Sequence, residues 1–164
     1  MLDIDEIKEW FIQELTERIE DESLLIRDVA NHCQISQERM NNYMQGRALP
    51  NPYVLAIMAD FLSCTVNDLL GYDEPDEDDL VGFDPTNMFE GEDEFMIHIR
   101  NRLEERMLAE DMTAKELAEK SGSNTHTIKY WLGKLKRQPT LIRTSDLLRL
   151  ADALDCTPSD LLGY

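Results

Sequence analysis

ADFLSCTVNDLLGY (residues 59–72) and ADALDCTPSDLLGY (residues 151–164) decide how this chain is organised. Ten of the fourteen aligned positions are identical, and both stretches close on Leu-Leu-Gly-Tyr. Self-similarity at a fixed offset is the mark of a repeated structural unit. Upstream of this pair the offset shortens by four: Leu15 aligns with Leu103, Arg18 with Arg106, Val29-Ala30 with Leu117-Ala118, and Met40 with Ile128. The second copy therefore carries about four extra residues between its third and fourth helices. Each copy is about 70 residues long, close to the minimum for one small hydrophobic core.

Short helices account for both copies. Ile4, Ile7, Phe11, Leu15 and Ile19 recur at helical spacing, as do Phe95, Ile99, Leu103 and Met107. Asp3 and Glu6 stand at capping-box spacing before the first stripe. The second helix of the second copy opens on Thr113-Ala-Lys-Glu116, a full capping box, whereas Leu25 at the matching position predicts a less clean start. Gly122 supplies the positive φ that a tight turn wants, and the first copy has Gln34 there. Third helices are predicted from Ser36 to Gln45 and from Asn124 to Leu132, with Gly46 and Gly133 as stops. Fourth helices follow at Pro52–Leu62 and Ser145–Leu154, and fifth helices open at Thr65 and Thr157. Thr157, Pro158 and Asp160 occupy the N-cap, N1 and N3 positions that favour each of them. No strand pattern competes, so the expected class is all-α, five helices twice.

Composition narrows the function. Of the 164 residues 42% are hydrophobic and 30% charged, as in a globular protein. No apolar run is long enough to span a bilayer. The acidic, amphipathic start MLDIDEIKEW is unlike a signal peptide, which makes the cytoplasm the expected location. Cys33, Cys64 and Cys156 are too scattered for a disulfide framework, and His32-Cys33 has no second pair at zinc spacing. Buried thiols in a reducing compartment are the expectation, with no metal and no cofactor. An enzyme is not expected: His32, His98 and His126 accompany no nucleophile motif, phosphate loop or His-Glu-x-x-His, and Asp76 and Asp78 lack the spacing of a calcium loop.

Net charge is −18, which weighs against nucleic acid until it is divided. Residues 1–72 carry 13 acids and 5 bases, residues 73–94 carry 11 acids and no base, and residues 95–164 carry 10 acids and 11 bases. The second copy is thus nearly neutral, and no acid occurs from Ser121 to Ser145, where Lys129, Lys134, Lys136, Arg137 and Arg143 cluster. Cations gathered on one side of a neutral domain make a phosphate-binding footprint.

Residues 103–164, with the leucine-alanine pair of the second helix, the turn glycine, Thr127-Ile128 in the third helix and a basic loop containing Pro139, resemble the Cro/lambda-repressor-like (XRE-type) helix-turn-helix family. The first copy fits the same frame more loosely: it keeps Val29-Ala30, Met40 and Gly46-Arg47 but lacks the turn glycine and the basic loop. The resemblance implies two tandem five-helix lambda-repressor-like domains, 1–72 and 95–164, joined by an acidic linker, 73–94. It further implies that the third helix enters the major groove. Base-facing residues of the second copy are then Asn124, Thr125, His126, Lys129 and Tyr130, with Asn suited to adenine and Thr to a thymine methyl. Phosphate contacts fall to Thr113, Lys134, Lys136, Arg137 and Arg143. Ile128 and Trp131 are expected in the core.

The first copy offers Ser36, Gln37, Asn41, Asn42 and Arg47 as a second site, but Glu38 among them would repel phosphate. Trp10, Phe11 and Ile12 cannot all face one small core, which marks an interface for a protein partner or self-association. Two functions follow. One is a regulator that binds double-stranded DNA through the second copy. The alternative is an acidic protein-binding inhibitor or adaptor that mimics nucleic acid. The linker, half of it acidic, is expected to be largely disordered, serving as a spacer or competing with DNA for the basic face. Val81 with Phe83 and Met88 with Phe89 would anchor it there.

Overall fold

The computed structural model describes residues 3–73 and 83–163, and among them every element is a helix. The chain divides into two compact units, Asp3–Pro85 and the residues from Thr86 onward.

The first unit holds α1 (Ile4–Asp21), α2 (Ile26–His32), α3 (Gln37–Met44), α4 (Pro52–Phe61) and α5 (Val66–Leu70). Asp3 caps α1 by accepting the Asp5 and Glu6 N–H groups at 2.9 and 3.4 Å. The α1 stripe buries Ile7, Phe11, Leu15 and Ile19, whereas Ile4, the first residue of the helix, is half-buried. The most apolar helix, α4 (PYVLAIMADF), is buried over nearly its whole length, and both α2 and α5 pack on it. Each fully enclosed side chain, such as Phe11, Leu55 or Met58, contributes on the order of 1.5–3 kcal/mol. As expected from Leu25, α2 has no side-chain oxygen at its cap, but Asp28 accepts the Leu25 N–H at 2.7 Å and so supplies half of a capping box.

The second unit holds α7 (Glu92–Ala109), α8 (Ala114–Ser121), α9 (Thr125–Trp131), α10 (Thr144–Ala153) and α11 (Pro158–Leu162), preceded by the single turn α6 (Pro85–Met88) at the junction. The first three helices of the two units start 88 residues apart and the last two 92 apart. Left-handed residues keep the same register: Ser23 with Asp111, Gln34 with Gly122, and Ser63 with Asp155. Gln34 therefore holds the conformation that glycine holds in the second unit, at φ +55° against +73°.

In both units the first helix fastens the fifth by the same device. The Trp10 indole N–H donates to the Asp68 carbonyl at 3.1 Å, and its ring covers Gly71, where a Cβ would stand 2.9 Å away. Arg18 pairs with Glu14 at 2.8 Å and reaches the Asp68 carboxylate at 3.9 Å. In the second unit His98 Nε2–H donates to the Leu162 carbonyl at 2.9 Å, and the imidazole covers Gly163. Arg102 donates twice to the Asp160 carbonyl, at 3.1 and 2.9 Å, and Arg106 pairs with the Asp160 carboxylate at 3.3 Å. At φ +76° and +90°, with a ring against each, Gly71 and Gly163 have no room for a side chain.

These contacts bear on two expectations. Trp10 remains half-exposed, but one edge of it is committed inside its own unit; Phe11 is fully buried and Ile12 lies beside Gly46. Three adjacent large side chains thus find three separate places, because helix 1 is flanked by the core, by α5 and by the end of α3. The acid-rich stretch is not uniformly without structure: residues 85–88 form a turn of helix, and α7 begins at Glu92, ahead of Phe95. Phe89 sits 5.3 Å from the Phe95 ring and 4.9 Å from His98, so it packs on α7 rather than on a basic face. Val81 and the other residues of 74–82 lie outside the described residues.

Burial pushes the Cys33 and Cys64 thiols up to about 12 and that of Cys156 up to about 11, which disfavours the thiolate form in each. His32 is stacked on Phe61 at 4.1 Å. Among the described residues no helix is long and apolar enough to cross a membrane.

Candidate nucleic-acid interface

Residues 113–143 form a helix, a tight turn, a second helix and a cationic loop. Thr113 and Glu116 close a reciprocal capping box: the Glu116 N–H donates to Thr113 Oγ1 at 3.2 Å, and the Thr113 N–H donates to the Glu116 carboxylate at 2.7 Å. The backbone bond to Thr113, followed by the hydroxyl bond, holds the Glu116 carboxyl below its ordinary pKa. α8 ends at Gly122, whose left-handed conformation turns the chain into α9 with no atom crowding the glycine. Leu117, Ala118, Ile128 and Trp131 are buried, which seats α9 on α8. This leaves Asn124, His126 and Lys129 exposed, with Thr125 and Tyr130 half-buried.

Two of these side chains are already engaged. Asn124 caps α9: its Oδ1 accepts the Thr127 N–H at 2.8 Å and the Thr127 hydroxyl at 3.0 Å. An amide oxygen has two lone pairs, so while it caps, Asn124 offers only its NH2 outward and cannot bridge adenine with both ends. The Tyr130 hydroxyl accepts the Thr140 N–H at 2.8 Å and lies 3.3 Å from Thr140 Oγ1. These bonds, the side-chain one first, hold the phenol pKa below its usual 10.

The loop from Gly133 to Arg143 exposes Lys134, Lys136, Arg137 and Arg143. α7 fixes its ends. At the start, the Lys134 N–H donates to the Lys129 carbonyl at 2.9 Å, and the Arg100 side chain lies where a Gly133 Cβ would project. Lys134 also pairs with Glu104 at 3.5 Å on the surface. At the far end, the Ile142 N–H donates to the Met96 sulfur at 3.4 Å. Met96, Arg100 and Glu104, spaced by four, are loop contacts that the sequence pattern did not single out. They form a second stripe, each one residue past the core stripe Phe95, Ile99 and Leu103, and that spacing was a legible signal of a second packed face.

Thr113 is placed differently from the loop cations. Both its donors go to Glu116, with the hydroxyl at 3.0 Å, and an open groove beside it is lined by Glu110, Asp111, Met112, Glu116, Glu119 and Lys120. A phosphate would meet carboxylates there, which weakens Thr113 as a phosphate contact.

In the first unit the corresponding side chains are brought onto α3 but bond to one another. Ser36 Oγ accepts the Arg39 N–H at 3.1 Å as the helix cap. Gln37 donates to Asn41 at 3.3 Å, Arg47 to Asn42 at 3.1 Å, and Arg39 to the Tyr43 hydroxyl at 3.1 Å. Met40 and Tyr43 are buried as Ile128 and Trp131 are.

A helix-turn-helix with a cationic loop after its second helix is the class of site defined here. Residues 102–164 match the family model of the Cro/C1-type HTH DNA-binding domain, so the second unit is similar to a DNA-binding domain of that kind. No curated protein and no solved structure matches the chain.

Proposed function

We propose that this protein is a transcriptional regulator that binds double-stranded DNA through its second unit, with α9 in the major groove and the loop 133–143 on the phosphate backbone. In this reading Asn124, Thr125, His126 and Lys129 meet base edges, while Lys134, Lys136, Arg137 and Arg143 meet phosphates. Residues 1–72 are a diverged acidic copy of the same domain, and residues 73–94 join the two. The observation that carries the reading is the juxtaposition of an exposed polar helix start with an acid-free stretch, 121–145, whose cations are presented to solvent. Each phosphate neutralised releases counterions, so affinity should fall linearly with salt on logarithmic axes.

The test is binding of the full chain to random-sequence duplex DNA across a salt series, beside the triple variant K134A/K136A/R137A. The triple change should weaken binding to all sequences and flatten the slope by about 2.7, roughly 0.9 for each lost phosphate. A wild-type chain that shows no salt-dependent binding rejects the proposal.

A second reading, the first unit as a protein-contact module, is favoured by one observation. Residues 1–72 carry a net charge of −8, which repels DNA phosphate. A basic protein surface is the partner chemistry this fits.

A further inference from the structure

The cationic loop has few internal supports of its own. Residues 134–143 contain no helix or strand, and Lys136, Arg137 and Gln138 are exposed in succession. A loop of this kind ordinarily loses conformational freedom when its cations engage a ligand, and that loss subtracts from affinity. Here the loop is tied at three places inside its own unit: Lys134 to Lys129 and Glu104, Thr140 to Tyr130, and Ile142 to Met96. The Tyr130 tie is the one that joins the loop to α9 at its far side, across ten residues of sequence. It uses a backbone donor, which fixes the path of the chain rather than one side chain.

We infer that Tyr130 is a positioning residue whose hydroxyl holds the Thr140 backbone N–H, so that Lys136 and Arg137 stand in their binding arrangement before DNA arrives. This rests on the DNA-binding reading and gives Tyr130 a role other than base contact. The hydroxyl keeps the loop and the α9 positions that read bases in one frame, so phosphate and base contacts form together. Its effect is therefore on affinity for every sequence and not on preference among them.

The experiment compares the full chain with Tyr130→Phe and Thr140→Ala. Amide hydrogen exchange of the free protein is read at Thr140, with Ile128 and Leu147 as core references. Tyr130→Phe should speed exchange at Thr140 and leave the references unchanged. Thr140→Ala keeps the backbone bond and should change little. On random-sequence duplex DNA, Tyr130→Phe should lose about fivefold in affinity, the size of one neutral hydrogen bond. Its salt slope should stay equal to wild type, because the same phosphates are met once bound. Unchanged exchange at Thr140, unchanged affinity, or a slope reduced by about 0.9 each overturns the inference. So does altered preference among defined sequences at constant non-specific affinity, which would make Tyr130 a base contact. If the wild-type chain binds no duplex DNA, the function fails, and the exchange data still report whether the tie exists.

Discussion

Gln34 and Gly122 occupy one turn position in the two units, and they differ in what that position costs. A left-handed conformation costs an L-residue roughly 1–2 kcal/mol, while glycine gives back about 0.5–1 kcal/mol in chain entropy. Gln34→Gly should therefore stabilise the first unit by up to about 1 kcal/mol, and Gly122→Gln should destabilise the second by a similar amount. Urea unfolding of each variant measures this, and Gly122 is the cleaner case because nothing lies within 4 Å of a Cβ there. Asn124 carries two duties that substitution can separate. Asn124→Ala removes the cap and should cost about 1 kcal/mol of stability, whereas Asn124→Ser keeps a capping oxygen and should cost little. Both remove the outward NH2, so both should relax base preference at one position by roughly 1–3 kcal/mol if that group touches a base. Selection from a randomised duplex pool reads the preference directly.

Among the elements, helix existence and order were legible because capping residues and apolar stripes agree. Asp3, Thr113, Thr65 and Thr157 all cap where their side chains suggested. What pattern did not show is where polar groups go once the helices meet. Asn124 and Thr125 look alike as candidate readers in sequence, but the cap claims one oxygen and leaves the other residue alone. Tyr130 reads as an outward aromatic, because its partner, Thr140, lies across an irregular loop that no periodicity describes. Thr113 reads as a helix-start hydroxyl open to phosphate, yet the glutamate that makes its capping box recognisable is the group that occupies it. In the opposite direction, the regular spacing of Met96, Arg100 and Glu104 was present in the sequence and shows that α7 supports the loop as well as the core. The K134A/K136A/R137A slope and the Tyr130→Phe exchange together separate the charge of the loop from its order.

Across the chain the dominant fact is the uneven charge. A truncated chain beginning at Thr86 keeps Phe89 on Phe95 and His98, retains all of α7, and discards most of the acidic residues. Removing residues 1–85 deletes 20 acids and 5 bases, a change of +15 in net charge. Like-charge repulsion from DNA acts over a Debye length of about 10 Å at 0.1 M salt, so the truncated chain should bind random-sequence duplex more tightly than the full chain at low salt. The difference should narrow as salt rises. Titrating both chains at two salt concentrations decides it: equal affinity at low salt would mean the acidic half makes a compensating contact of its own, with DNA or with another protein. A fragment cut at Phe95 would be a poor substitute, since it removes the first turn of α7 and the ring that covers its start.

The ring over Gly71 has a use outside function. Trp10 and Trp131 are the two tryptophans of the chain, and they fall one in each unit, the first 48% exposed and the second 6%. An indole half in water emits at longer wavelength than one enclosed by side chains, so the native spectrum is a sum of a red and a blue component. Replacing Trp131 with Phe leaves fluorescence that follows the helix 1–helix 5 latch of the first unit alone, and replacing Trp10 leaves an intrinsic dye next to Tyr130 on α9. Two melting curves, one per fluorophore, then say whether this protein comes apart in one cooperative event or in two.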